Sequence, residues 1–136
     1  MSVEWNSTLE IGIPEIDEQH KELVVAVGRL MVSFGENTAE EEVRRLLLFL
    51  NQYVTDHFST EEALMVQHGY PAVEGHKARH AEFIASFRRL IDEFKENGAT
   101  TKLAQMTQFS VVTWLLNHIG REDKQLGAFL KAEVAT

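Results

Sequence analysis

The sequence predicts an all-α fold, an up-down-up-down four-helix bundle with an extended N-terminal arm and a short C-terminal helix. Three observations predict it. Four long segments carry apolar residues at the i, i+3, i+4 spacing of an amphipathic helix. The junctions between them are short and marked by glycine or proline, which makes successive helices antiparallel neighbours. At 136 residues with no cysteine, the chain has material for one core and no disulfide to staple a second. Residues 1–136 are therefore read as a single domain.

The arm comes first, over residues 1–13, where Leu9, Ile11 and Ile13 alternate with polar neighbours as in an extended segment laid on a core. Pro14 opens a helix over residues 15–34, with Ile16, His20, Leu23, Val24, Val27, Leu30, Met31 and Phe34 on one stripe. Residues 35–38 break the pattern. Thr38 followed by Glu41 has the form of a capping box for a second helix, 39–67, whose stripe is Val43, Leu46, Leu47, Leu50, Val54, His57, Glu61 and Leu64. Gly69, Tyr70 and Pro71 end it. A third helix, 73–96, carries Val73, His76, His80, Phe83, Phe87, Leu90, Ile91 and Phe94, and stops at Asn97 and Gly98. The fourth, 101–118, runs through Leu103, Met106, Ser110, Trp114 and His118, and a short helix over 122–133 closes the chain.

Composition narrows the function classes. A formal net charge of −8 with thirteen scattered basic residues argues against nucleic acid, which is bound by clustered Lys and Arg. No apolar run has the length of a membrane span or the form of a signal segment, so no membrane insertion is expected and a cytoplasmic setting is. Without cysteine there is no thiolate ligand or nucleophile. Any metal must sit on nitrogen and oxygen.

Chain direction then gathers the histidines. His20 is early in the first helix, His57 late in the second, His76 and His80 early in the third and His118 late in the fourth, all at one end of the bundle. Glu61 follows His57 by one turn on the same face, and His76 and His80 are likewise an i, i+4 pair. Asp123, five residues after His118, would lie about 140° away on an unbroken helix. The helix must therefore loosen or end between them, with Gly120 placed to allow it. One histidine on an apolar stripe is ordinarily a buried residue with one hydrogen bond. Five imidazoles and two carboxylates in one layer are another matter, because each unpartnered buried polar group costs about 1–3 kcal/mol. A dinuclear metal centre satisfies all seven. If both carboxylates bridge, five nitrogens, four oxygens and a hydroxide shared by two metals fill eleven of the twelve positions of two octahedra, and the vacancy falls on the metal with two histidines. His68 lies off every stripe and reads as an exposed loop residue, and Glu62 as a solvated surface acid.

The spacing of His20, His57, Glu61, His76, His80, His118 and Asp123, with the strings HFSTEEALM and WLLNHIGRED and the Tyr70-Pro71 turn, resembles the hemerythrins, and in particular their single-domain bacterial members. The resemblance runs from Trp5 to the final helix. It implies a non-haem centre of two Fe ions with a bridging hydroxide or oxo group, His76, His80 and His118 on the saturated iron, His20 and His57 on the open one, and Glu61 and Asp123 bridging. O2 would bind end-on at the open iron as hydroperoxide, beside an apolar pocket of Leu23, Phe58, Trp114, Leu115 and Ile119, and leave by the reverse path. The implied role is reversible O2 binding for transport, storage or delivery, and delivery to an O2-consuming enzyme as a partner is one of the readings left open. Chemistry favours a carrier over an enzyme. The site is nitrogen-rich, lacks the Glu-x-x-His pairs of carboxylate di-iron proteins, and its sequence shows no reductase domain or cofactor motif. The alternatives are a di-iron enzyme acting on peroxide or nitric oxide, and an O2 or NO sensor. The ligand types alone serve iron, manganese and zinc alike.

Overall fold

The structure, a computed structural model, describes residue 5 and residues 7–135. Its helices are α1 (Pro14–Ser33), α2 (Ala39–His68), α3 (Val73–Asn97), α4 (Thr101–Asn117) and α5 (Lys124–Ala135), with 3-10 turns at Ser7–Leu9 and Phe34–Glu36. A π-helical segment, His118–Asp123, joins α4 to α5. α1 packs on α2 and α4, α3 packs on the same two, and α2 meets α4 across the bundle. That ring of antiparallel neighbours is the four-helix bundle.

Local chemistry sets the boundaries. Proline at the first position of α1 loses no helical hydrogen bond, and Glu15 and Asp17 face the positive end of the helix dipole. α2 ends in a Schellman turn: Gly69 takes the left-handed conformation at φ 65°, Tyr70 N–H donates to the Met65 carbonyl at 2.9 Å and Gly69 N–H to that of Val66 at 3.3 Å. α4 begins with Thr100, whose hydroxyl accepts from Leu103 N–H at 3.0 Å. The expected capping box at α2 does not form. Thr38 makes no side-chain cap, and Glu41 instead pairs with Arg45 at 2.9 Å, one turn on.

The arm differs from expectation in part. Its first stretch, Ser7–Leu9, is a 3-10 turn closed by Glu10 N–H on the Ser7 carbonyl at 3.2 Å. Residues 1–4 and 6 of the predicted arm lie outside the described residues. Ile11 is buried and Leu9 and Ile13 half-buried, while Glu10 and Gly12 face out. The Asp17 carboxylate fastens this segment by accepting from Ile11 and Gly12 N–H at 2.8 and 3.1 Å. On its other side the arm lies against α5, so close that a Cβ at Gly127 would collide with the Ile11 carbonyl.

One continuous apolar cluster fills the bundle from Val43 and Leu46 to Leu115 and Ile119. A smaller cluster of Met65, Tyr70, Leu126 and Leu130 lies where α5 folds back. The buried face of α4 is Leu103, Ala104, Thr107, Val111 and Leu115, one position round from the predicted Met106, Ser110 and Trp114. Those three are only half-buried. The small residues Ala104 and Thr107 are fully buried, and Trp114 is left at the edge of the face. α4 stops at Asn117, and the chain runs through the π segment into the expected short closing helix, α5, which begins at Lys124 rather than at 122.

Candidate metal centre

Four chain segments bring seven side chains to one end of the bundle. His20 comes from the first half of α1, His57 and Glu61 from the last half of α2, and His76 and His80 from the start of α3. His118 and Asp123 bracket the π segment. All seven are buried, none exposing more than 3% of its surface.

The π segment explains how Asp123 arrives. A π turn closes on i, i+5 and returns the fifth residue to the face it started from. Asp123 Oδ1 therefore stands 2.9 Å from His118 Nε2. Gly120 is not what permits this: it has no positive φ, and a Cβ there would meet nothing. The whole segment is loosened, not one residue.

Each carboxylate divides its oxygens between two sets of imidazoles. Glu61 Oε1 faces Nε2 of His80 at 2.8 Å, His76 at 3.1 Å and His118 at 3.7 Å. Glu61 Oε2 faces Nε2 of His57 at 3.4 Å and His20 at 3.7 Å. Asp123 repeats the division, with Oδ1 at 3.1 Å from His76 and Oδ2 at 2.8 Å from His20. Two donor groups result, one of His76, His80 and His118 and one of His20 and His57, and both carboxylates belong to each. Within either group the donor atoms all lie inside 4.8 Å of one another.

Glu61 Oε1 is within hydrogen-bond reach of His76 and His80 Nε2 at 3.1 and 2.8 Å, but most of the remaining close approaches are not hydrogen bonds. Among the described residues, the buried side-chain atoms without a hydrogen bond include His20 Nε2, His118 Nε2, Glu61 Oε2 and both Asp123 oxygens, together with His20 Nδ1 and His76 Nδ1. Only Thr107 Oγ1 joins them from elsewhere. Seven such atoms at about 1–3 kcal/mol each would match or exceed the whole net stability of a domain, about 5–15 kcal/mol. Nitrogen and oxygen lone pairs converging in one buried layer are what a pair of cations requires, and the residues fit one.

The electrostatics agree. Burial would lower His20 and His118, but contact with Asp123 and Glu61 and their charges outweighs it and lifts them to about 9 and about 10. His76 moves up for the same reasons. His57 goes the other way: burial takes it down to about 4, against the pull of Glu61. Burial and the Glu61 charge push Asp123 up, yet His118, His20 and His76 hold it at about 2. Glu61 is likewise held well below the carboxylate range by His118, His20, His76 and His80, despite its burial. Metal-free, the layer is an anionic pair that draws protons onto its imidazoles. Cations would replace those protons.

Around the layer, Leu23, Phe58, Leu115 and Ile119 are buried in the main apolar cluster, and Trp114 packs against it. Phe58 stacks on His80 with ring centres 3.8 Å apart, and Trp114 on His118 at 4.3 Å. These two rings thus cover the three-histidine side. On the other side Tyr53 stacks on His57 at 5.0 Å and donates its hydroxyl to the Gln19 carbonyl at 2.8 Å.

An outer layer was not anticipated from sequence. Gln19 Oε1 accepts from His57 Nδ1 at 2.7 Å, Glu62 Oε2 from His80 Nδ1 at 2.9 Å and Glu122 Oε1 from His118 Nδ1 at 3.4 Å. Glu62 is therefore not simply a solvated acid. The i, i+4 spacing of His118 and Glu122 was a legible signal, whereas the pairing of Glu62 with a residue of α3 was not. His68 is the last residue of α2, half-buried and outside both donor groups, not an exposed loop residue.

Residues 11–130 match the family model described as hemerythrin HHE cation binding domain. A bacteriohemerythrin of Methylococcus capsulatus (strain ATCC 33009 / NCIMB 11132 / Bath) is 33% identical over 116 residues, 85% of this chain and 86% of that one. One from Stenotrophomonas maltophilia (strain R551-3) is 28% identical over 130 residues, 96% and 82% of the two chains. A myohemerythrin of Theromyzon tessulatum is 27% identical over 120 residues, 88% and 87%.

Proposed function

Because this chain belongs to the hemerythrin family, we propose that it binds O2 reversibly at a non-haem di-iron centre. His76, His80 and His118 would hold one iron and His20 and His57 the other, with the carboxylates of Glu61 and Asp123 shared between the two groups. The observation that supports this assignment is the division of each carboxylate, one oxygen toward three imidazoles and the other toward two. When bound, the ferrous pair supplies the two electrons that O2 takes up on binding and returns on release.

The residues do the rest. Glu61 and Asp123 keep the pair together and offset much of its charge, so the ions stay close in a site that water does not reach. Five imidazoles against two carboxylates make a less anionic donor set than the carboxylate-rich di-iron sites, which favours returning O2 over cleaving it. By donor count the three-histidine side would be filled by its own ligands, and the two-histidine side would keep one position for an external ligand. Leu23, Leu115 and Ile119, with Phe58 and Trp114 against the three-histidine side, form the apolar surround that keeps protons and water from the layer. The function is thus binding rather than turnover. A cytoplasmic setting is part of the proposal and accords with a chain that has no cysteine. No helix among the described residues is long and apolar enough to cross a membrane.

The test is to load the chain with Fe(II) and cycle it between air and argon while following its visible charge-transfer absorption. Colour that appears and bleaches over repeated cycles is the expected result. A single irreversible oxidation with continuing O2 consumption would overturn the proposal in favour of an enzyme.

A further inference from the structure

The two halves of the layer are backed differently from outside. In the three-histidine half, His80 and His118 each direct Nδ1 at a carboxylate, Glu62 at 2.9 Å and Glu122 at 3.4 Å, while His76 Nδ1 has no protein partner among the described residues. In the two-histidine half, His57 meets the neutral amide of Gln19 at 2.7 Å, and His20 Nδ1 has no protein partner among the described residues. Every one of these imidazoles turns Nε2 inward, so the outer nitrogen is the position from which the protein can tune the donor. An anionic acceptor pulls the N–H proton outward and leaves more electron density on Nε2, and a neutral amide does so far less.

We propose that Glu62 and Glu122 are positioning residues that make the halves unequal: they strengthen the three-histidine half as the tighter and more readily oxidised metal site. Gln19 orients His57 without adding charge and leaves the half that takes the external ligand the weaker donor. The inference rests on the di-iron assignment above and adds to it an order of affinity and the residues that set it. Both glutamates are suited to substitution, since their side chains are 34% and 25% exposed and neither lies in the apolar core.

Competition of the iron-loaded, full-length chain against a chromogenic Fe(II) chelator tests this, with the midpoint potential of the centre measured alongside. Glu62→Gln and Glu122→Gln keep an acceptor oxygen and remove the charge. Each is expected to weaken the tighter ion by about 10- to 100-fold while changing the weaker ion less than about 3-fold. Each should also raise the potential, by about 59 mV for every tenfold loss of Fe(III) affinity relative to Fe(II). Gln19→Leu should do the converse, weakening the looser ion and leaving the tighter one. A loss shared equally by both ions, or no change of affinity order and potential in the glutamate variants, would overturn the inference while leaving the di-iron reading intact. If the unaltered chain fails to yield two irons per chain, that reading falls and the inference with it. Helical circular dichroism separates these results from misfolding, and Glu62→Gln carries the test alone if Glu122→Gln disturbs the π segment.

Discussion

Each imidazole in the layer is a donor with a preset direction, and the five directions converge. His76, His80 and His118 place their ring centres 4.7–5.0 Å apart in a triangle of edge contacts, with His20 and His57 as a separate pair at 4.8 Å. His76 is the member whose Nε2 stands 3.1 Å from both carboxylates, so its loss opens the triangle at the point where the bridges meet. His76→Ala should therefore drop iron below two per chain and abolish the visible band, which metal analysis and absorption together would check. Two irons per chain in this variant would refute its assignment as a ligand. Thr100 offers a contrast at the other end of the bundle. Removing its cap with Thr100→Ala should cost about 1 kcal/mol in chemical denaturation and leave iron content unchanged.

At the scale of elements, the π segment is the device that completes the layer. A π turn is an α-helix carrying one residue too many, and Gly120 points its missing side chain into open space. Deleting Gly120 should restore α-helix with the same two side chains at i, i+4, about 40° apart, and iron should be retained. Inserting one alanine after Gly120 instead puts them at i, i+6 and carries Asp123 away from His118, with loss of iron. Metal analysis of the pair of variants decides whether spacing, and not glycine, is what matters. The arm is a second element, held against α5 at Ile11–Gly127 and Gly12–Lys131. Gly127→Ala would drive the Ile11 backbone off that helix and should destabilise the fold by about 1–3 kcal/mol, the usual range for overpacking.

For the whole molecule, metal and proton compete for one buried layer. Near neutral pH the metal-free chain holds protons on His20 and His118, raised to about 9 and about 10 from an ordinary 6.5. A raised folded-state value means stability that is fully present below 6.5 and is lost as pH rises through 9 and 10. The metal-free chain should accordingly lose thermal stability between pH 7 and 10, whereas the loaded chain, whose imidazoles are already neutral, should not. Thermal melts of both forms across that range would show it; parallel curves would contradict the proton assignment. For the same reason, loading at pH 7 should release protons, and iron affinity should rise with pH over that window.

Much of this was readable from the chain. Helical periodicity is a local property, and with short junctions it determined the four helices, their alternating directions and therefore the end at which His20, His57, His76, His80 and His118 gather. Glu61 was legible because it shares a helix face with His57. Other features depend on groups far apart in sequence or on helix rotation, which local pattern does not encode. The choice between a broken helix and a π turn at His118–Asp123 was made by packing on both sides of the segment. The rotation of α4, which buries Ala104 and Thr107 and leaves Trp114 at the edge of the face, is a matter of how the helices dock. The partnership of Glu62 with His80, across 18 residues, exists only once α2 and α3 are docked. Sequence determined which donors meet, because periodicity and chain direction suffice for that. Tertiary structure alone decided how each is aimed and what backs it, because those depend on the rotation of each helix about its own axis.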